Sequence, residues 1–503
     1  MDGVQGPAVR SFAAGDVVLR CEPLVWVLKS HAYETRCAYC LRKSQKLSIC
    51  ADCKLHSYCN RACQRADWKL EHKLECELLM TTSGNDMAAL RDCGPLGIGS
   101  EYSLDMPRLL IAKLVNKIKS NKMITVPGMD PQSVKDFVLT LPADPKQSTI
   151  ASNLSPTKFV SESSKSIKIP AADFLAYYGL VNYNALPIYD ALLMVSQPIG
   201  LAVYPVTPRH MTLVCWDMNA LLHYHGRQLV IHAAEDIPQY SGLQDLRYNA
   251  FQEPFRLARA ERRAEFEQRH GYPCTCRRCT PEYEAEINPL RCVTSGCTNS
   301  IPSDDRAMQA CVECGAINAD RLRQFREFLQ QHDRIVASFP EDRNRPMLNQ
   351  LCEKMDAAGI IQSDAHIRFV CGRELPHKYF DENRLEEGVQ MVKDLMRCVR
   401  KIYPAYGVFR ARLLMCAGLN VVTPLYKRML DSGLNKLPPP AISQLKASAA
   451  TVWALNTDYC SEAWSILVKL FGAQSQEVQE GNEVYKQAVA QLAHIQQTLD
   501  GLK

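Results

Sequence analysis

The chain has 503 residues, 47% of them hydrophobic and 22% charged, which is typical of an ordinary soluble protein with several domains. Its net charge of +5, from 59 basic and 54 acidic residues, is too small to require a nucleic-acid partner. Most of the 22 cysteines have metal-type spacings, which favours the nucleus or the cytoplasm over secretion and leaves the choice between these two open. We expect no membrane segment, because no apolar signal core or run of about eighteen apolar residues occurs.

The first predicted elements are strands within residues 1–36. Residues 17–19 and 24–28 are β-branched or apolar runs, and Gly15, Asp16 and Pro23 interrupt them.

Potential metal ligands then crowd into one short stretch. They are Cys37, Cys40, Cys50, Cys53, Cys59, Cys63, His72 and Cys76. Seven thiols and one imidazole are enough to close two tetrahedral zinc sites. A disulfide framework and scattered core cysteines are the alternatives, but the regular pairs favour zinc.

Residues 77–255 combine helix, loop and strand signals. Apolar residues at 110, 111, 114, 115 and 118 predict a helix over 107–118. Residues 144–166 are rich in Ser, Pro, Thr and Lys and predict a loop, and residues 223–233 predict a hairpin.

Two further cysteine clusters follow. They consist of Cys274, Cys276 and Cys279, and of Cys292, Cys297, Cys311 and Cys314. The second has the spacing of a zinc ribbon, with Gly315 relieving strain beneath the metal, although unpaired surface thiols are the alternative. Together with the two sites between Cys37 and Cys76, these clusters predict three to four zinc ions per chain.

From about residue 320 onward we expect helices only. Residues 321–332 and 384–399 lack helix breakers, and an apolar stripe from Val484 to Leu499 predicts a last helix. Asn482 is its predicted N-cap and Gly501 its end.

The stretch 37–76 resembles a MYND zinc finger, and Tyr58, Gln64 and Trp68 extend the match beyond the ligands. The resemblance implies two interleaved sites and a module that binds proline-rich peptides. One zinc would be held by Cys37, Cys40, Cys59 and Cys63, and the other by Cys50, Cys53, His72 and Cys76. Nucleic acid is a second possible partner, against the alternative of an ordinary solvated face, because the finger has eight basic residues. They are Arg42, Lys43, Lys46, Lys54, Arg61, Arg65, Lys69 and Lys73.

The whole chain resembles the SET and MYND domain-containing (SMYD) family. Residues 14–24 look like its opening strands, 182–184 like its Asn-containing strand, 199–205 like its Gly-Leu-Tyr-Pro stretch and 274–279 like its post-SET zinc cluster. In that family the fourth ligand of this cluster comes from the SET core, and Cys215 is the residue that matches it. The resemblance implies S-adenosylmethionine (SAM)-dependent methylation of lysine.

The fold class implied is a multidomain α+β protein, a β-rich SET domain interrupted by the finger and a helical insert. We divide it into an N-terminal SET segment at 1–36, the MYND finger 37–76, a helical insert 77–170, the SET core 171–255, the post-SET cluster 256–283, a zinc-ribbon-like segment 284–320 and a helical, tetratricopeptide-like domain 321–503. The tetratricopeptide assignment comes from the resemblance, because no strict 34-residue repeat is present.

The residues for methyl transfer are matched unequally. The resemblance makes Tyr248 the catalytic tyrosine, one residue early, and assigns Tyr272, Asn182 and Asn219 to SAM. The glycine turn is eroded at residues 3–7, where Gly3 and Gly6 stand three apart and Pro7 lacks an N–H. The Asn-His-Ser-Cys stretch is reduced to Cys215 at residues 212–215, and Arg209-His210 is only a poor substitute for it because of its spacing.

Two functions therefore remain open. The first is a protein-lysine methyltransferase acting on histone tails or other proteins. The second is a catalytically inactive adaptor that recruits protein partners in transcriptional regulation. Either would act as a monomer, and a hydrolytic zinc enzyme is disfavoured because almost every cluster supplies four N or S ligands and is closed. Both tyrosines could instead simply fill the core.

Overall fold

The computed structural model describes residues 10–82, 105–120, 122–124, 131–141, 171–189, 198–206, 211–249, 257–339, 341–431 and 438–501. The glycine turn at 3–7, the loop at 144–166 and the pair Arg209-His210 lie outside these residues. Fourteen strands and five α-helices lie before residue 250, and from Ala319 onward every described element is a helix, as the sequence predicts.

Sixteen strands occur in the described residues, all of them short. They are β1 Arg10–Phe12, β2 Val17–Cys21, β3 Val25–Leu28, β4 Ser48–Ile49, β5 Ser57–Tyr58, β6 Met123–Ile124, β7 Gln132–Ser133, β8 Leu186–Ile188, β9 Gly200–Val203, β10 Thr212–Val214, β11 Ala220–His225, β12 Gln228–Ala233, β13 Ile237–Tyr240, β14 Arg247–Asn249, β15 Leu290–Arg291 and β16 Ser300–Ile301.

The α-helices are numbered in the same way. They are α1 Arg61–Asp67, α2 Lys73–Thr82, α3 Asp105–Ser120, α4 Val134–Leu139, α5 Ala171–Asn184, α6 Arg259–His270, α7 Pro281–Ile287, α8 Ala319–Ser338, α9 Glu341–Ala357, α10 His366–Gly372, α11 Leu375–Asp381, α12 Leu385–Ile402, α13 Val408–Asn420, α14 Val422–Asp431, α15 Pro439–Phe471 and α16 Gln476–Asp500.

Two three-stranded sheets and several strand pairs form the β-rich body. One sheet has the order β11-β12-β2 and the other β3-β9-β8, and both are antiparallel. The predicted hairpin is confirmed as β11 and β12, which turn at Gly226 and Arg227. The pair β10 and β14 is parallel, with Leu213 opposite Tyr248.

The hairpin turn also touches the finger. Gly226 has a positive φ of 61°, and a Cβ at this position would collide with the backbone carbonyl of Cys40, so only glycine fits here. The next residue, Arg227, donates from Nη2 to the Tyr39 hydroxyl at 3.0 Å and stacks over the ring of Trp26 at 4.4 Å. The sheet and the finger are therefore held together by a rigid turn.

Buried apolar residues form three clusters. One lies inside the β-rich body, around β9, β11 and β12. A second joins the finger to α3, α4 and α5. The largest runs from Val214 and Trp216 through the later cysteine clusters into the C-terminal helices, so that the helical domain shares a core with the segment after β10.

Two local predictions were wrong. Residues 182–184 end helix α5 instead of forming a strand, because the helix that starts at Ala171 continues through them and β8 begins only at Leu186. The last helix begins six residues before Asn482, because the hydroxyl of Ser475 accepts a hydrogen bond from the Val478 amide at 3.2 Å and caps it. Gly501 ends that helix as predicted.

One described stretch is long and apolar enough to cross a membrane. Within Val408–Leu430, an 18-residue segment has a mean hydropathy of 1.3, and 39% of that segment is buried. The stretch is divided at Val421 into α13 and α14. Length and composition alone are weak support for a membrane span, because the core helix of a soluble protein meets the same test.

Candidate metal centres and methyl-transfer site

The first cysteine group lies at the edge of the finger. It consists of Cys37, Cys40, Cys59 and Cys63, whose ligand atoms all lie within 4.8 Å of one another. The Sγ atoms of Cys40 and Cys59 are 3.9 Å apart, and those of Cys59 and Cys63 are 3.5 Å apart. Asn60 accepts a hydrogen bond from the Cys63 amide at 2.9 Å and so starts helix α1 between the last two cysteines.

The second group is wholly buried. It consists of Cys50, Cys53, His72 and Cys76. The Sγ atoms of Cys50 and Cys76 are 3.9 Å apart, and the Cys53 Sγ lies 3.7 Å from Nε2 of His72. His72 ends a single π-helical turn, Trp68–His72, and Cys76 lies one turn further on in α2, so both side chains reach the same point.

These groups fit zinc by donor chemistry and by size. A tetrahedral zinc with Zn–S bonds of about 2.3 Å places its sulfurs about 3.8 Å apart. The measured separations of 3.5 to 3.9 Å in the finger match this value. All 21 described cysteines are free thiols, so a disulfide framework is not found in the described residues.

The third group joins two distant segments. Cys215, directly after β10, meets Cys274, Cys276 and Cys279, and its Sγ lies 3.8 Å from that of Cys276. The resemblance assigned this role to Cys215, and the structure brings the four together.

A buried arginine that the sequence did not reveal supports this third group. Arg262 on α6 donates from Nε to the Cys215 Sγ at 3.3 Å and from Nη2 to the carbonyl of Arg278 at 3.0 Å. Its guanidinium also lies 4.5 Å from the ring of the buried Trp216. A positive group next to a cluster of four thiolates offsets their excess negative charge.

The fourth group is the most accessible to solvent. It consists of Cys292, Cys297, Cys311 and Cys314, and Cys314 is exposed. The Sγ separations are 3.5 Å for Cys292 and Cys314 and 3.8 Å for Cys297 and Cys311. Gly315 has a φ of 74°, which is the left-handed turn expected beneath the metal. The four groups together could hold four zinc ions.

A buried ionic network lies directly behind the second finger group, and the sequence did not predict it. The Glu75 carboxylate is 3.5 Å from Nδ1 of His72, 3.5 Å from Nδ1 of His56 and 3.0 Å from Nζ of Lys113 on α3. The Lys117 ammonium is paired with Glu71 at 3.0 Å. The only sequence signal was a pair of acids four residues apart in the finger and a pair of lysines four apart in α3.

The network keeps Glu75 and Lys113 in their charged forms. Burial alone would raise the pKa of Glu75, but His56 and Lys113 hold that pKa below its usual value. Burial would likewise lower the pKa of Lys113, but Glu75, Glu71 and Asp67 raise it above its usual value. The cluster His56, Asp67, His72 and Glu75 also has metal-type geometry, but the Lys113 ammonium already supplies a cation to its carboxylates.

The same burial leaves the finger surface strongly basic. Three of the four acids within 37–76 are buried, namely Asp67, Glu71 and Glu75, and only Asp52 is exposed. The eight basic residues of the finger are all exposed: Arg42, Lys43, Lys46, Lys54, Arg61, Arg65, Lys69 and Lys73. The charge imbalance on the surface is therefore larger than the sequence composition of the finger indicates.

The two tyrosines predicted for methyl transfer lie on segments that are joined to the third metal group. Tyr248 is buried on β14, whose partner β10 leads directly into Cys215. Tyr272 follows α6 and precedes Cys274 by two residues, and its side chain is 46% exposed. Its ring makes an edge contact with Phe266 at 5.4 Å.

Of the two asparagines predicted to bind SAM, one is bonded to the backbone and the other lies in a helix. Asn219 donates from Nδ2 to the carbonyl of Asp245 at 2.9 Å and accepts from the Arg247 amide at 2.6 Å. Its carboxamide therefore fixes the entry to β14. Asn182 lies in the last turn of helix α5. The Tyr272 ring is thus partly exposed, whereas the Asn219 carboxamide bonds to the backbone.

Comparisons with known proteins agree with the finger and extend beyond it. Residues 37–76 match the family model of the MYND finger. The chain is 25% identical over 280 residues to N-lysine methyltransferase SMYD2 of Homo sapiens, a match covering 54% of this chain and 57% of that protein. It is 24% identical over 288 residues to histone-lysine N-methyltransferase SMYD3 of Mus musculus, covering 56% of this chain and 60% of that protein. The chain thus spans less than two thirds of the length of these relatives.

The structure and the match define a zinc-finger protein with a MYND finger, several further cysteine clusters and a helical C-terminal domain. The similarity to SMYD2 and SMYD3 over about half of the chain, together with the finger, supports an SMYD-family protein.

Proposed function

We propose that this chain is a SAM-dependent protein-lysine methyltransferase of the SMYD type, with a SET domain formed by residues 1–36 and 171–255. The observation that carries the proposal is the convergence of three segments at the third metal group. Strand β10 leads into Cys215, β14 beside it carries Tyr248, and the segment from Tyr272 to Cys279 is joined to Cys215 through the cysteine cluster.

In this proposal the two tyrosines have different tasks. SAM, when bound, supplies the methyl group on a sulfonium. The Tyr248 hydroxyl orients the lysine amine toward it, and the exposed face of Tyr272 packs on the adenine. Catalysis by such a site consists mainly of positioning, because the reaction is an in-line displacement. The zinc ions have structural tasks, because each group already offers four protein ligands.

The test is a calorimetric titration of SAM into the folded, zinc-loaded chain, followed by a methylation assay on protein substrates. Tyr272→Ala should weaken SAM binding, since a stacking contact contributes about 1 kcal/mol, whereas Tyr272→Phe keeps the ring and should bind normally. Tyr248→Phe should lower turnover with SAM affinity nearly unchanged. Tyr426→Phe, which removes a hydroxyl from the C-terminal helices, is the matched control and should act as wild type.

A second candidate, an adaptor without catalysis, is favoured by Asn219. Because its carboxamide bonds to Asp245 and Arg247, SAM would lose hydrogen bonds of about 0.5–1.5 kcal/mol each. No heat at millimolar SAM from a folded, zinc-loaded sample would refute the methyltransferase and leave the adaptor.

The finger is proposed as the recruitment surface in either case. Its exposed basic residues and the half-exposed Trp68 suit a proline-rich or acidic protein segment, and nucleic acid is the second possibility. Deleting 37–76 would expose the core that the finger shares with α3, so charge reversal at Lys43 and Lys46 is the cleaner test. Binding of a proline-rich peptide that is unchanged by both reversals would count against the finger. We further propose a monomer with a tetratricopeptide-like C-terminal domain, acting on histone or other protein lysines in the nucleus or the cytoplasm.

A further inference from the structure

Lys113 is a charged side chain in the interior of the protein. It lies on helix α3, outside the finger, and only 3% of its side chain is exposed. Its Nζ donates to the carbonyl of Trp26 on β3 at 2.7 Å and forms an ion pair with the Glu75 carboxylate in the finger at 3.0 Å. One ammonium therefore joins the sheet, the helical insert and the finger.

Glu75 also contacts a potential metal ligand, His72. Its Oε2 atom lies 3.5 Å from Nδ1 of His72, while Nε2 of His72 faces the Cys53 Sγ at 3.7 Å. One ring nitrogen thus points at the ligand cluster and the other at a carboxylate. A carboxylate on the outer nitrogen fixes the ring orientation and tautomer of a metal-bound histidine, and removing such a group typically weakens metal binding 10- to 100-fold.

The charges explain why the lysine is needed. Three thiolates and a neutral imidazole give a zinc site a net charge of −1, and Glu75 adds a second buried negative charge next to it. Two neighbouring buried anions without a counter-ion are unfavourable. The Lys113 ammonium is the nearest cation to Glu75, since Lys117 pairs with Glu71 instead.

We propose that Glu75 and Lys113 are positioning residues for the second finger site, so that docking of helix α3 and retention of the metal by Cys50, Cys53, His72 and Cys76 depend on each other. The finger is then an integral element of the β-rich body and not an independently hinged module. This inference holds whether or not the chain transfers methyl groups.

The test measures metal release from the full zinc-loaded chain into a chromogenic chelator. Lys113→Met should release one zinc about tenfold or more faster than wild type, and Glu75→Gln should do the same. The released site is identified by refilling with Co²⁺, because of the four groups only this one offers an imidazole nitrogen, which changes the visible absorption of cobalt relative to four thiolates. Lys119→Met is the matched control on the same helix, because Lys119 is exposed, and it should release zinc at the wild-type rate.

Hydrogen exchange supplies a test that requires no variant. Withdrawing this zinc from the wild type should speed amide exchange in α3, residues 105–120, and leave α16, residues 476–500, unchanged. If Lys113→Met does not fold, Lys113→Arg keeps the charge and should retain the metal better than Glu75→Gln. The proposal is overturned if Lys113→Met and Lys119→Met release zinc at the same rate, if Lys113→Arg is as labile as Glu75→Gln, or if exchange in α3 does not respond to metal withdrawal.

Discussion

Replacing Arg262 with methionine tests how much a buried cation stabilises the third cysteine group. Methionine keeps an unbranched apolar side chain in the buried site but removes the guanidinium. The lost interactions are the bonds to the Cys215 thiolate at 3.3 Å, the Leu257 carbonyl at 3.3 Å and the Arg278 carbonyl at 3.0 Å, and the stacking on the indole at 4.5 Å.

The expected loss can be worked from these contacts. A hydrogen bond to a charged group contributes about 1.5–3 kcal/mol, and a buried carbonyl left without its donor costs about 1–3 kcal/mol. Removing one partner of a buried charged cluster costs about 3–5 kcal/mol in total. We therefore expect Arg262→Met to destabilise the chain by about 3–5 kcal/mol.

Calorimetric unfolding in zinc-saturated buffer is the assay. A loss of about 3 kcal/mol should lower the transition that contains this segment by about 6–12 °C, given 2–4 °C per kcal/mol for a domain of 150–250 residues. The matched control is Arg277→Met, because Arg277 is 65% exposed and its pair with Asp217 at 3.4 Å should contribute at most about 1 kcal/mol. If the two variants unfold within about 1 kcal/mol of each other with full zinc content, the buried cation does not stabilise this group.

Three further expectations can be checked on the same protein. Cys50→Ala should lose one zinc by elemental analysis and unfold the finger, since the metal supplies much of its folding free energy, and an unchanged zinc content would contradict the finger assignment. Under limiting chelator, the exposed group containing Cys314 should lose its zinc before the buried group containing Cys50. Alkylation of the cysteines in each peptide would report the order of release, and the reverse order would contradict the expectation that burial slows the loss of zinc. The stability of the contact between His223 and Phe471 should fall below about pH 6.5, because burial, followed by the charges of His232, His225 and Arg20, holds the pKa of His223 well below its usual value. The unfolded chain then binds more protons than the folded one, so stability is complete above pH 6.5 and is lost on acidification, and His223→Gln should flatten this dependence in unfolding scans at pH 7.5 and 5.5.

The sequence was most informative where chemistry fixes the spacing. Pairs of cysteines two residues apart have few other uses, so most of the metal ligands were predictable from their spacing, whereas Cys215 and the grouping of the finger ligands came from the family resemblance. The helical second half was predictable for the same kind of reason, because its apolar stripes have the helical period. The finger, the cysteine clusters and the helical domain therefore emerged as predicted.

What the sequence missed depends on partners that are distant along the chain. Lys113 lies in an apolar helix and looks like an ordinary snorkelling lysine until Glu75, 38 residues earlier, is placed against it. Asn219 was predicted to bind SAM because its neighbours match a motif. Its carboxamide instead bonds to the backbone of Asp245 and Arg247, which lie 26 and 28 residues further along the chain. The strand predicted at 182–184 failed because a motif match says nothing about where the preceding helix ends.

The separation of the metal ligands along the chain has a consequence for the timing of folding during synthesis. Both finger groups have all their ligands once residue 76 has been made, but the lysine behind the second group follows 37 residues later. Cys274, the next ligand of the third group, is made 59 residues after Cys215, and until then the Cys215 thiol is accessible. A ribosome that translates at about 5–20 residues per second would leave that thiol without its partners for about 3–12 s. During that interval the thiol is open to oxidation or to capture by a foreign metal, and the nascent chain would be most sensitive to the redox state and the free zinc concentration of its surroundings.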